Sequence, residues 1–118
     1  MIDWDYIKRE REKRNFPIEI KNERGQRVYF EESDGLWVKY EYDNDGNHIF
    51  YETSDNFWFK KKYDDNGDNT FYENSKGFWT KRKYDTSHRM VYYEDSTGYW
   101  SSMGYDKYGN KTNYKNSN

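Results

Sequence analysis

The chain has 118 residues, 36% of them charged and 22% aromatic, with a formal net charge of −2 and no cysteine. That length suits one domain. The near balance of charge gives no global field to draw in nucleic acid or an anionic membrane, and the lack of cysteine excludes disulfides and thiolate metal sites and fits a reducing compartment.

The N-terminal stretch "MIDWDYIKREREKRN" has no apolar segment of the kind a secretory signal needs, and no run approaches the 18 or so apolar residues of a membrane span. The expected location is therefore the cytoplasm (the host cell cytosol if the chain is phage-encoded). Asp3 is placed to cap a helix over roughly 4–14, which Asn15 and Phe16-Pro17 end. Trp4 and Ile7 share one face of it. Residues 1–15 are read as a helical cap over the first exposed strand edge of the remaining chain. In "KREREKR" (8–14) acids interleave with bases, which marks a solvated helix face rather than a nucleic-acid patch.

From residue 16 to 114 the chain repeats itself. "FEESDGLWVKYEYD" (30–43), "YETSDNFWFKKKYD" (51–64), "YENSKGFWTKRKYD" (72–85) and "YEDSTGYWSSMGYD" (93–106) succeed one another at a period of 21 without a gap. A period of that size signals units that bury one another's faces. Leu, Ile, Val and Phe supply only 16 residues and alanine none, so the core on offer is aromatic. That richness in aromatics also separates the chain from disordered sequences.

Each unit reads as two strands, 27–32 and 36–42 in the first copy, rich in aromatic and β-branched residues between Asp, Asn, Ser and Gly. Asp34-Gly35 suits a two-residue hairpin turn, with Asn56 replacing the glycine in the next copy, and "DNDGN" (43–47) suits a type I turn with Gly46 left-handed. An odd period keeps equivalent side chains on one face only if the two turns differ in kind. The resulting register sets Trp37 opposite Thr53, Thr53 opposite Trp58, and continues through Asn74, Trp79, Asp95 and Trp100. The tryptophans then recur about every 10 Å along one face. Lys39, Lys60, Lys81, Tyr51, Tyr72 and Tyr93 would share that face, with Phe50, Phe71 and Tyr92 on the other. Two aromatic faces point to an all-β fold, a curled or spiral antiparallel sheet of tandem hairpins. Residues 115–118 are read as a flexible tail.

No motif carries catalysis. "EYDNDGNHIFYE" (41–52) mimics a calcium loop, but strands flank it and Asp43 and Gly46 already serve a turn. His48 and His88 stand at non-equivalent positions without an acid or nucleophile at fixed spacing. The Glu31 series is a cross-strand partner for cations and aromatics before it is a pair of glycosidase carboxylates. The expectation is a non-enzyme without cofactor or metal.

"YDNDGN" (42–47), "YDDNGD" (63–68) and "YDKYGN" (105–110) resemble the tyrosine-aspartate (YD) repeats of Rhs and teneurin-type proteins, over about residues 21–114. "YDTSHR" (84–89) departs by losing its glycine. The resemblance implies β-hairpins wound into a spiral sheet. The tryptophan after the second turn is closer to the aromatic repeats of choline- and glucan-binding cell-wall proteins. Two functions are expected from these features. One is a protein-binding module, such as a phage or mobile-element inhibitor of a bacterial defence complex, presenting Trp37, Trp58, Trp79, Trp100, Lys60, Lys81, Tyr72 and Tyr93. The other is a carbohydrate-binding module using the tryptophan ladder. Nucleic acid and membrane are not expected partners, and the open sheet edge offers self-association.

Overall fold

A computed structural model describes residues 2–118. Its turns set its architecture. Segments 22–26, 32–36, 43–47, 53–57, 64–68, 74–78, 85–89, 95–99 and 106–110 share one hydrogen-bond pattern. In each, the fourth residue's N–H donates to the first residue's carbonyl, and the first residue's N–H donates to the fifth's. The fourth residue is left-handed throughout, with φ between 65° (His88) and 92° (Gly98). These are type I turns closed by a left-handed residue. Where Asp leads, its side chain fastens the turn: Asp43 Oδ1 accepts from the N–H groups of Asp45 at 3.0 Å and Asn47 at 2.8 Å. The preceding tyrosine ties the strand end down, for Tyr42 Oη donates to Arg27 O at 2.8 Å and Tyr105 Oη to Met90 O at 3.1 Å.

The turn at Asp34-Gly35 is thus the same kind as its neighbour, not a two-residue hairpin. The odd period comes from elsewhere. Tyr42 pairs with His48, but the next residue back, Glu41, pairs with Phe50 across a β-bulge. The same irregularity recurs at Lys62/Tyr63 and Lys83/Tyr84. Alternate strands therefore carry one extra residue, which restores the facing that two identical turns would have reversed.

The chain divides into two compact units, Met1–Trp58 and Phe59–Asn118. The first holds α1 (Trp4–Glu12), β1 (Ile18–Lys21), β2 (Arg27–Glu31), β3 (Trp37–Tyr42) and β4 (His48–Thr53). The second holds all but the first residue of β5 (Trp58–Tyr63), then β6 (Asn69–Asn74), β7 (Trp79–Tyr84), β8 (Met90–Asp95), β9 (Trp100–Tyr105) and β10 (Lys111–Asn116). Within each unit, successive strands pair antiparallel. The fold is all-β hairpin repeats with one short N-terminal helix. No helix among the described residues is long and apolar enough to cross a membrane.

Asp3 caps α1 as expected, its Oδ1 accepting from Tyr6 N–H at 3.0 Å. The helix ends at Glu12, with Arg14 left-handed (φ 55°) in the place usually held by glycine. The Phe16–Pro17 peptide bond is cis. At the other end β10 runs to Asn116, and Ser117 N–H donates to Trp100 O at 2.9 Å, so residues read as a tail continue the ladder.

Candidate interaction surface

The bulge decides which side chains share a face. Glu31 stands opposite Trp37 and Tyr29 opposite Lys39. On the other side of the same strand Lys39 faces Glu52 and Glu41 faces Phe50. The tryptophan face thus carries Trp, Lys, Glu and the Tyr29/Phe50/Phe71/Tyr92 series. Tyr51, Tyr72 and Tyr93 lie on the opposite face, against Tyr40, Thr80 and Arg82. This corrects the expected register, in which Trp37 met Thr53 and the Tyr51 series joined the tryptophans: Thr53 pairs with Val38. One residue of slip moved every side chain of alternate strands to the other side.

The tryptophan ladder is also not straight. Trp79 O accepts from Ser96 N–H, while Trp100 stands opposite Glu94. Trp79 and Trp100 are therefore two strands apart and displaced by two residues, roughly 6–7 Å, along the strand.

In the first unit α1 lies on this face, rather than along a strand edge. Ile7 (0% exposed), Ile18 and Tyr29 (each 1%) form the core, flanked by Ile20, Phe16 and Trp37. The Trp4 ring meets Tyr29 edge-on at 5.6 Å, and Trp37 stacks on Tyr29 at 6.3 Å. Lys39 Nζ sits between two rings, 5.0 Å from Trp4 and 4.9 Å from Trp37. Arg11 closes the arrangement. Its Nε donates to both oxygens of Glu31 at 2.9 and 3.0 Å, and Nη2 donates to Tyr29 Oη at 3.1 Å. Tyr29 Oη donates in turn to Glu31 Oε1 at 2.6 Å.

These contacts shift two ionisations. Burial pushes the Glu31 carboxyl up, but the hydrogen bonds from Arg11 and Tyr29 outweigh it and hold the group below its ordinary value. Burial first, and Glu31 second, push the Tyr29 phenol up to about 12. The sequence flagged the Glu31 series and Trp4 but gave Arg11 no role, since "KREREKR" reads as a solvated run.

In the second unit the same face has no helix upon it among the described residues. Lys81 and Lys83 are exposed and Trp100 is 36% exposed. Lys81 Nζ lies 5.2 Å from the Trp79 ring, repeating the Lys39–Trp37 contact without the second ring. Of the residues expected to form a binding ribbon, Trp79, Trp100, Lys60 and Lys81 share this face, and Lys60 faces Glu73. Trp37 serves the first unit's packing, and Trp58 is half-buried in that unit. Tyr72 packs with Phe59 at 5.7 Å and Phe78 at 6.4 Å on the opposite face. There too, Tyr93 meets Tyr99 at 6.1 Å and donates to Asp95 Oδ2 at 2.9 Å.

The Asp43 carboxylate is taken up by its turn, and His88 Nδ1 lies 2.7 Å from Asp68 Oδ2 on the surface. An open groove of about 1070 Å³ beside Trp4, Lys39 and Phe50 in the first unit is lined by Glu41, Glu52 and the two flanking turns.

No protein-family model matches the sequence, and no curated protein matches it either. The fold does match solved structures. The crystal structure of TcdB2-TccC3-TEV superposes with a TM-score of 0.62 over 84% of this chain, at 16% sequence identity. This chain spans only 7% of the length of that one, so the likeness is one of hairpin-repeat fold.

Proposed function

We propose that the chain is a non-enzymatic, protein-binding repeat module that uses the tryptophan face of its second unit. The observation that carries this reading is the contrast between corresponding faces: one is filled by the chain's own helix, and its repeat leaves Trp100 and Lys81 exposed and Trp79 half-buried. Tryptophan is a residue type that anchors protein interfaces, whose rims are polar. The fold likeness to TcdB2-TccC3, a toxin complex of the Rhs/YD-repeat kind, supports a repeat module of that architecture. A narrower form of the proposal is an inhibitor or adaptor, such as a phage or mobile-element protein acting on a bacterial defence complex in the cytoplasm. It rests on the small, cysteine-free, Asn/Lys/Tyr-rich composition.

A carbohydrate-binding ladder is the weaker reading. Sugars stack on open ring faces, whereas Lys81 lies over the Trp79 ring, and the two-residue stagger breaks the straight ladder that a glycan chain would follow.

The test is capture of companions by the tagged chain from a bacterial lysate, run in parallel with Trp79→Ala and Trp100→Ala. The expected result is a companion in near-equal amount that both substitutions release. Equal recovery by folded variants would remove this face from the function, and binding of a glycan array lost with the same variants would replace the protein partner.

A further inference from the structure

Much of the platform beneath α1 recurs in the second unit. In the first unit it consists of Ile18 and Ile20 on β1, Tyr29 and Glu31 on β2, and Trp37 on β3. Each residue 63 positions later lies in the second unit: Lys81 and Lys83 on β7, Tyr92 and Glu94 on β8, and Trp100 on β9. The registers agree pair by pair. Ile18 faces Glu31 as Lys81 faces Glu94, Ile20 faces Tyr29 as Lys83 faces Tyr92, and Glu31 faces Trp37 as Glu94 faces Trp100. The tyrosine–carboxylate contact is kept as well, with Tyr92 Oη donating to Glu94 Oε1 at 3.3 Å where Tyr29 Oη donates to Glu31 at 2.6 Å. The isoleucine pair that receives Ile7 has become a pair of exposed lysines, Lys83 lying 5.8 Å from the Tyr92 ring, and Ser102 stands opposite Tyr92 where Lys39 stands opposite Tyr29.

We propose that this second platform docks an amphipathic helix of a partner protein, seated as α1 is seated on the first. The inference rests on the protein-binding reading above and gives the partner its chemistry. α1 meets its platform through Trp4, Ile7 and Arg11, the i, i+3, i+7 spacing of one helix face. A helix for the second platform keeps the arginine, because Glu94 repeats the acceptor Glu31. It keeps the aromatic group, because Tyr92 repeats Tyr29. Where α1 has Ile7 it carries Asp or Glu, because an aliphatic side chain there would desolvate two ammonium groups and a carboxylate would pair with them. The acid then precedes the arginine by four residues, a favourable pair along a helix. Its signature is aromatic-x-x-acid-x-x-x-Arg.

The chain supplies its own probe. A fluorescent peptide of residues 2–16, unaltered or with Ile7→Glu, is titrated into the full-length protein and followed by anisotropy. Short helices are marginal alone, so the ratio of affinities is read. The Ile7→Glu peptide is expected to bind at least tenfold tighter than the unaltered one. Glu94→Gln in the protein should weaken it about tenfold. The protein double variant Lys81→Ile/Lys83→Ile, checked for folding by its thermal melt, should reverse the preference. The proposal falls if neither peptide binds at millimolar concentration, if the preference survives in the double variant, or if the unaltered peptide is preferred, which would make the occupant α1 of a second copy. A companion lost with Trp79→Ala alongside any of these failures would leave the protein-binding reading standing and end the helix assignment alone.

Discussion

Tyr29 and Tyr92 hold the same place in two copies of one platform, and their surroundings differ in the helix above and in the residues opposite them, Ile20 and Lys39 against Lys83 and Ser102. Over Tyr29 lies a helix; the residue is 1% exposed, its hydroxyl is bonded to both Arg11 and Glu31, and its phenol is pushed up to about 12. Tyr92 has the glutamate but no arginine, and it is half-buried with lysines beside it. The repeat thus builds the strands, turns and rows in both units, but cover decides what those rows do. Under α1 the row is core and stabilises the first unit. Without it, the corresponding row is half-buried at Tyr92 and Glu94 and exposed at Trp100.

The largest test of that contrast is Ile7→Ala. Ile7 is fully buried between Ile18 and Tyr29, so its truncation should cost about 2–4 kcal/mol in urea denaturation. Lys83→Ala, at the corresponding platform, should stay within about 0.5 kcal/mol. Similar costs for the two would mean that cover makes no energetic difference. Glu31→Gln comes next. It leaves Arg11 and Tyr29 without a carboxylate in a site where Glu31 is 4% exposed but Arg11 is largely open, and a loss of about 1–3 kcal/mol is expected. Glu94→Gln, without an arginine above it, should change stability by less than about 0.5 kcal/mol.

The same pair gives the first unit a pH window. Glu31 ionises below its ordinary value in the folded chain, so its contribution is complete above the unfolded carboxyl range, about 4.3, and is lost as pH falls through the folded value. Tyr29 is shifted the other way. Its contribution is complete below the ordinary phenol value near 10 and is lost as pH rises toward about 12, at most some 2–3 kcal/mol. Tyr51, Tyr92 and Tyr93 are also shifted upward, chiefly by burial, so the assignment needs Tyr29→Phe. In that variant the fall in stability between pH 10 and 12 should flatten; an unchanged slope would move its cause to the other tyrosines.

Much of this is legible from the residues. The 21-residue period, the strands, the helix cap at Asp3 and the face shared by Trp4 and Ile7 come from spacing alone. Parity does require an odd step between units. Asp34-Gly35, a familiar two-residue hairpin signal, draws that step into the turns, yet "ESDGL" and "DNDGN" both carry glycine fourth of five. That shared position is the sign that the turns are alike and that the extra residue must sit in a strand. A bulge at Glu41/Tyr42 has no comparable residue signature, since any side chain can occupy it. Arg11 is hidden for a different reason: its partner lies 20 residues away on a strand, and a mixed charge run does not reveal which of its members leaves solvent.

The smallest expected effects concern two left-handed residues, one in each unit. Arg14 (φ 55°) ends α1 where its N–H donates to Arg11 O and Asn15 N–H donates to Glu10 O, a helix terminus that glycine favours. His88 (φ 65°) stands fourth in the 85–89 turn, where most of the other turns have glycine. A side chain in this region costs on the order of 1 kcal/mol relative to glycine. Arg14→Gly gives up only a ring contact with Phe16 at 5.9 Å, so thermal unfolding should show a gain of about 0.5–1 kcal/mol. His88→Gly relieves the same strain but gives up the contact of Nδ1 with Asp68 at 2.7 Å, on a side chain 57% exposed. Such surface pairs contribute about 0–1 kcal/mol, so its gain should be the smaller of the two. If His88→Gly stabilises more than Arg14→Gly, the Asp68 contact contributes nothing, and the departure of "YDTSHR" from the repeat is strain without compensation.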